Sequence, residues 1–161
     1  MDEIERIRIR IAIEDLNSSF VYCLDHDQVE ELGDLFTEDA VYTHGERRSE
    51  GRAAIRNFFA KRLEARPRTS RHLYSGLRVL IEAPNRARGE SVCLTFAADQ
   101  LPPIRPAIPY LVADFSDVYS LCADHRWRLQ QRIISRIFVA ESNAGPVGYA
   151  QQPVATTKDR S

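Results

Sequence analysis

The chain has 161 residues, 43% hydrophobic and 28% charged, a balance that builds a buried core and excludes an intrinsically disordered polypeptide. Its 22 basic and 23 acidic side chains leave a formal charge of -1, so no global field is available to hold a nucleic acid or an anionic membrane surface. The charged start Met1-Asp2-Glu3-Ile4-Glu5-Arg6 lacks the apolar run of a secretion signal and no segment has the length of a membrane span, so the expected location is the cytoplasm.

From Glu3 to about Leu24, Ile4, Ile7, Ile11, Ile13, Leu16, Phe20, Val21 and Leu24 recur at steps of three and four, which predicts an amphipathic helix. A short second helix is predicted from Asp27, whose carboxylate can cap the amides of Val29 and Glu30, to Phe36, with Thr37-Glu38-Asp39 breaking it. Ala40 to His44 is β-branched and aromatic enough for a strand, ending in a polar turn over Gly45-Glu46-Arg47-Arg48. Ser49 and Gly51 then introduce a third helix with an apolar stripe of Ala54, Ile55, Phe58, Phe59 and Leu63, stopped by Pro67.

After Pro67 the pattern changes to long strands at about 69–82, 86–99, 110–122 and 126–139. Helices followed by an antiparallel meander predict an α+β domain over residues 1–140, in which strands this long must coil around the helices and leave a hollow end. The connection from Asp99 to Pro109 carries four prolines and reads as a rim loop or a contact surface. Residues 141–161 have no periodicity and are expected to be loose or docked on a neighbouring subunit.

Cys23, Cys93 and Cys122 are an odd number outside any metal-ligand spacing, and are expected to be buried thiols. No phosphate-cradling glycine loop is present either, so neither a metal nor an organic cofactor is expected. Two groups stand out as chemistry. Asp25 closes the first helix, beside His26 and Asp27, which read as turn and cap residues. His72 opens the first long strand, a position that in this topology faces back toward the end of helix one; a carboxylate there would fix the imidazole's tautomer and leave its other nitrogen as a general base. Regular alternation, however, puts His72 and Tyr74 on the face opposite Leu73, Leu77, Val79 and Ile81, so this pairing requires a bulge near Ser75-Gly76.

The order of elements, Leu24-Asp25, the run Leu35-Phe36-Thr37-Glu38-Asp39-Ala40-Val41-Tyr42 and the pair Arg71-His72 together resemble the SnoaL-like branch of the nuclear-transport-factor-two-like superfamily, over about residues 5 to 140. Within it the chain looks most like the scytalone dehydratase, hexachlorocyclohexane dehydrochlorinase and bile-acid dehydratase group. The resemblance implies a cone-shaped barrel of three helices in a highly curved antiparallel sheet, and a cofactor-free lyase or isomerase acting on a largely apolar, cyclic small molecule. It also implies an Asp25/His72 dyad for β-elimination and a pocket arginine, matched by Arg136, that stabilises developing negative charge. Where relatives place a tyrosine five residues before the aspartate this chain has Phe20; Tyr42 and His44, on one strand face, could supply the missing donor, with Tyr74 completing the substrate contacts. A dimer or trimer is implied as well, and apolar residues such as Ile104, Ile108 and Leu111 are expected to be exposed and in need of cover. The alternatives are the non-catalytic β subunit of an aromatic-ring-hydroxylating dioxygenase and a small-molecule carrier of the same fold.

Overall fold

Asp2 starts the first helix, α1 (Glu3–Asp25), by a reciprocal cap: its carboxylate accepts from the Glu5 amide at 2.8 Å, and the Glu5 carboxylate accepts from the Asp2 amide at 3.1 Å. The structure, a computed structural model, describes residues 1–65 and 67–140, so the expectation for the tail from 141 to 161 lies outside the described residues. The buried stripe of α1 runs through Ile9, Ile13, Leu16, Phe20 and Cys23, whereas Ile4, Ile7 and Ile11 are exposed. The Ile-Arg alternation populates two faces of the helix, and at 3.6 residues per turn Ile4, Ile7 and Ile11 lie about half a turn from the buried set.

The second helix, α2 (Val29–Asp34), has Gln28 at its N-cap with no side-chain bond, because Asp27 takes a left-handed conformation (φ 58°) that reverses the chain instead of capping it. α2 ends two residues earlier than predicted. Arg128 Nε donates to the Asp34 carbonyl and the Leu129 amide to the Leu35 carbonyl, which draws Phe36 into pairing with Leu129, so that β1 (Phe36–His44) includes the segment expected to be a break. The polar turn likewise shrinks to Gly45-Glu46, with φ 60° at Gly45; Arg47, Arg48 and Ser49 belong to the short strand β2 (Arg47–Glu50), paired with β1. The third helix, α3 (Arg52–Ala65), follows Gly51 and buries Ile55 and Phe59.

The four long strands are β3 (Thr69–Ala83), β4 (Arg86–Ala98), β5 (Leu111–Leu121) and β6 (Trp127–Val139). With the first hairpin they form one sheet in the order β2-β1-β6-β5-β4-β3. All its pairings are antiparallel except β1 with β6, so the sheet is mixed where an antiparallel one was expected; it curls over the helices without closing. α1 lies in the concavity against β3, and the core gathers between them.

The required irregularity in β3 is present: the register with β4 shifts between Ser75 and Arg78, and Gly76 has φ 69°. His72 and Tyr74 are partly buried ahead of it while Leu73 is exposed; after it Leu77, Val79 and Ile81 pack on the core and Leu80 is exposed. Leu111 is buried in the core, contrary to expectation, because the β4–β5 ladder begins with it opposite Thr95; Ile108, outside the ladder, is exposed. Cys23 and Cys93 are buried and Cys122 only partly so. Among the described residues no helix is long and apolar enough to cross a membrane.

Candidate active site

The last residue of α1 delivers Asp25 to the start of β3, where three donors converge on its carboxylate. The Ser70 hydroxyl donates to Oδ1 at 2.9 Å, the His72 amide donates to Oδ2 at 2.8 Å, and His72 Nδ1 lies 2.6 Å from Oδ1. Side-chain exposure is only 7% for Asp25 and 10% for His72, so solvent does little to loosen the pair. Burial alone would raise the Asp25 carboxyl, but the His72 ring and amide and the Ser70 hydroxyl outweigh it and hold the carboxyl below its ordinary value. An ionised carboxylate only accepts hydrogen bonds, so Nδ1 carries the ring hydrogen and Nε2 is left as the acceptor.

His72 opens onto a cavity of about 40 Å³ whose wall includes Phe20, Leu24, Tyr42, His44, Phe115 and Ile134. Phe20, Tyr42 and His44 thus line the same cavity as His72. Tyr74, by contrast, does not reach this wall; its hydroxyl is directed to Glu14 at 3.5 Å. Arg136 stands off the wall too, beside Gly45 and near enough to His44 to help hold that imidazole neutral. Burial first, then Arg136, Arg62, His72 and Arg47, push His44 down to about 3. The neighbouring turn residue His26 is exposed, stacked on Tyr22 and bonded to its carbonyl, as its turn position suggests. Beyond Tyr110, which lines both spaces, a roomier groove of about 470 Å³ follows the proline-rich connection past Phe96, Ile104 and Ile108. His72 lines the smaller space and not the groove.

Sequence reasoning missed the polar floor. Arg132 on β6 is fully buried and bidentate to Asp117 on β5, at 2.9 and 2.7 Å, and also donates to the Asn17 side-chain oxygen. Asn17 in turn donates to the Tyr119 hydroxyl at 2.9 Å, and that hydroxyl donates to Asp117 at 2.8 Å. The guanidinium is sandwiched between the rings of Phe20 and Phe115, 4.2 and 4.6 Å from their centroids, both of which face the cavity. Strand alternation held the signal, since Asp117 shares a face with Phe115 and Tyr119, and Arg132 shares one with Ile134. Among the described residues no group of three or more His, Cys, Asp or Glu is placed to hold a metal ion. Cys93, raised to about 11 mainly by burial, is a poor nucleophile.

Comparison with known families matches the SnoaL-like domain to residues 5–133. A comparison with curated proteins finds no match. Among solved structures, a protein described as a candidate scytalone dehydratase from Novosphingobium aromaticivorans DSM 12444 is similar at 22% identity and TM-score 0.77, covering 93% of this chain and 100% of that one. LinA is similar at 21% identity and TM-score 0.73, over 86% of this chain and 92% of that one. A protein described as a candidate aromatic ring hydroxylase from Novosphingobium aromaticivorans is similar at 18% identity and TM-score 0.70, over 82% and 91%. At these identities the likeness is one of fold.

Proposed function

From the premise that the chain belongs to the SnoaL-like domain family, we propose that it is a cofactor-free lyase of the β-elimination type, with His72 as general base and Asp25 as the group that orients and charges it. The observation that carries this reading is the 2.6 Å contact between Asp25 and His72 Nδ1 at the edge of an apolar cavity. Desolvating a carboxylate costs several kcal/mol, and unlike Asp117, whose partner Arg132 is sealed in the core, Asp25 is paired with a ring that opens onto the cavity, as a base poised against a substrate C–H requires.

In the reaction Nε2 takes a proton from carbon, the C–H electron pair becomes the new double bond, and the leaving group departs with its own bonding pair. The imidazolium so formed is stabilised by the Asp25 carboxylate and returns its proton to the leaving group or to solvent. In this reading Tyr42 and His44, which line the cavity, meet a substrate oxygen gaining negative charge, and Arg136 adds positive charge near His44. Phe20 and Phe115, held by the Arg132 sandwich, keep the cavity shape rigid, while the groove beyond Tyr110 accommodates the apolar body. The test is elimination from a panel of cyclic β-hydroxy carbonyl compounds, read as the conjugated product's absorbance. We expect turnover by the native chain and its loss in His72→Ala; a His72→Ala protein as active as the native one overturns the proposal.

A further inference from the structure

The chain as a whole is almost neutral, but the charged side chains lining the two adjoining spaces are all of one sign. The dyad cavity is lined by Arg62, from the last turn of α3, and Arg68; the adjoining groove is lined by Arg71 and Arg105. Among the described residues no carboxylate lines either space. Arg68 is partly neutralised by Asp99 at 3.3 Å, and the buried Arg132 is cancelled by Asp117, which leaves Arg62 as the cation in the cavity lining whose charge also bears on His44. His44, held neutral on the same wall, does not add to this charge but reports it, since Arg62 is one of the cations that keep it unprotonated.

We propose that the substrate is an organic carboxylate: an apolar cyclic body that lies toward the groove and an anionic carboxyl group that Arg62, seconded by Arg68, holds at the cavity. A planar guanidinium matches a carboxylate by two parallel hydrogen bonds, and beside the apolar Phe20, Leu24, Leu111 and Ile134 such a pair escapes part of the screening it would meet in water. Binding the carboxyl group there also fixes which carbon faces His72, so the same contact selects the substrate and sets the regiochemistry. This inference names the substrate class of the site proposed above and rests on the cavity, but not on elimination being its chemistry.

The test is calorimetric binding of cyclohexanecarboxylate, cyclohexylacetate and 3-cyclohexylpropionate against the amide of each, at 20 and 300 mM NaCl, to the native chain, Arg62→Gln and Arg62→Lys. At least one carboxylate should bind the native protein on the order of tenfold more tightly than its amide, with the preference narrowing at high salt. Arg62→Gln should bring the ratio close to one, and Arg62→Lys should retain part of it. The proposal is overturned if no carboxylate binds at millimolar concentration, if amides bind as well as acids, or if the ratio is unchanged in Arg62→Gln. If Arg62→Gln does not fold, the salt dependence of the native ratio decides. Should no elimination be found with any substrate, the ratio still stands; should the ratio fail, the dyad chemistry still stands.

Discussion

Replacing Asp25 by Asn preserves the shape of the side chain and exchanges one acceptor for a donor, at a point where three donors already converge. If the amide oxygen takes the place of Oδ2, it keeps the bond to the His72 backbone N–H and turns its amino group toward Nδ1 and the Ser70 hydroxyl. Nδ1 must then become the acceptor, and the ring proton moves to Nε2, the atom needed to receive one from substrate. The opposite orientation sets the amino group against the His72 N–H, an unsatisfied buried contact that costs about 1–3 kcal/mol. The first orientation is therefore preferred and the base is lost. The imidazolium of the transition state also loses its counter-charge: unit charges roughly 4 Å apart at an effective dielectric of ~20 attract by about 4 kcal/mol, equivalent to about a thousandfold in rate. We expect kcat/KM for elimination to fall on the order of 10³ to 10⁴-fold in Asp25→Asn, with the fold retained by circular dichroism. Nitrogen-15 spectra of the His72 ring give a second readout that needs no substrate: hydrogen on Nδ1 in the native chain and on Nε2 in the variant. A variant within threefold of native kcat/KM, or one with hydrogen still on Nδ1, refutes the reasoning.

Other perturbations test other parts of the structure. His44 binds its proton only near 3 when folded but near 6.5 when unfolded, so the unfolded state takes up protons first and stability falls as pH drops through that interval. Chemical denaturation should lose roughly 2 kcal/mol between pH 6.5 and 5 in the native chain and much less in His44→Gln; parallel pH curves would exclude the effect. Asp25 acts lower on the scale: with its carboxyl held below the ordinary value, its share of stability is present above about pH 4 and disappears on further acidification. Arg132→Met strands the Asp117 carboxylate in a dry core and should cost about 3–5 kcal/mol by urea titration, with Arg132→Met/Asp117→Asn recovering part of the loss; equal stability of the two variants would speak against a buried ion pair. A Cβ at Gly89 would lie 2.8 Å from a ring carbon of Tyr119 and 2.9 Å from its hydroxyl oxygen, so Gly89→Ala should lower the unfolding free energy by about 1–3 kcal/mol; an unchanged melting temperature would show that the ring gives way without cost.

Where periodicity and chemistry agreed, the sequence was legible. The bounds of β3 to β6 follow from β-branched runs between Pro84-Asn85, the proline-rich connection and Ala123-Asp124-His125, and Asp25 and His72 could be placed because one ends a helix and the other begins a strand. The conflict in β3 was legible for the same reason, since an imidazole on the wrong face can be rescued only by an irregularity beside a glycine. The misreadings have one cause in common, a long-range partner that overrides local preference. Leu35 and Phe36 look helical until β6 pairs with them, Leu111 looks exposed until it packs into the core opposite Thr95 of β4, and Arg132 goes unremarked until Asp117 is placed across the β5–β6 hairpin. Ile4, Ile7 and Ile11 show the converse: apolar spacing marks a face of a helix without saying what covers it.

The positive φ at Gly76 divides β3 into two half-strands with separate allegiances. The stretch ahead of it answers to the imidazole and its carboxylate, and the stretch behind it answers to the hydrophobic interior. A regular β3 of the same length would run on a single beat, and the chain could then keep either its base or its oily seam turned inward, never both. Changes in sequence on either side of the hinge point are thereby uncoupled, so the chamber can be remodelled for a new molecule without asking the core to renegotiate its packing.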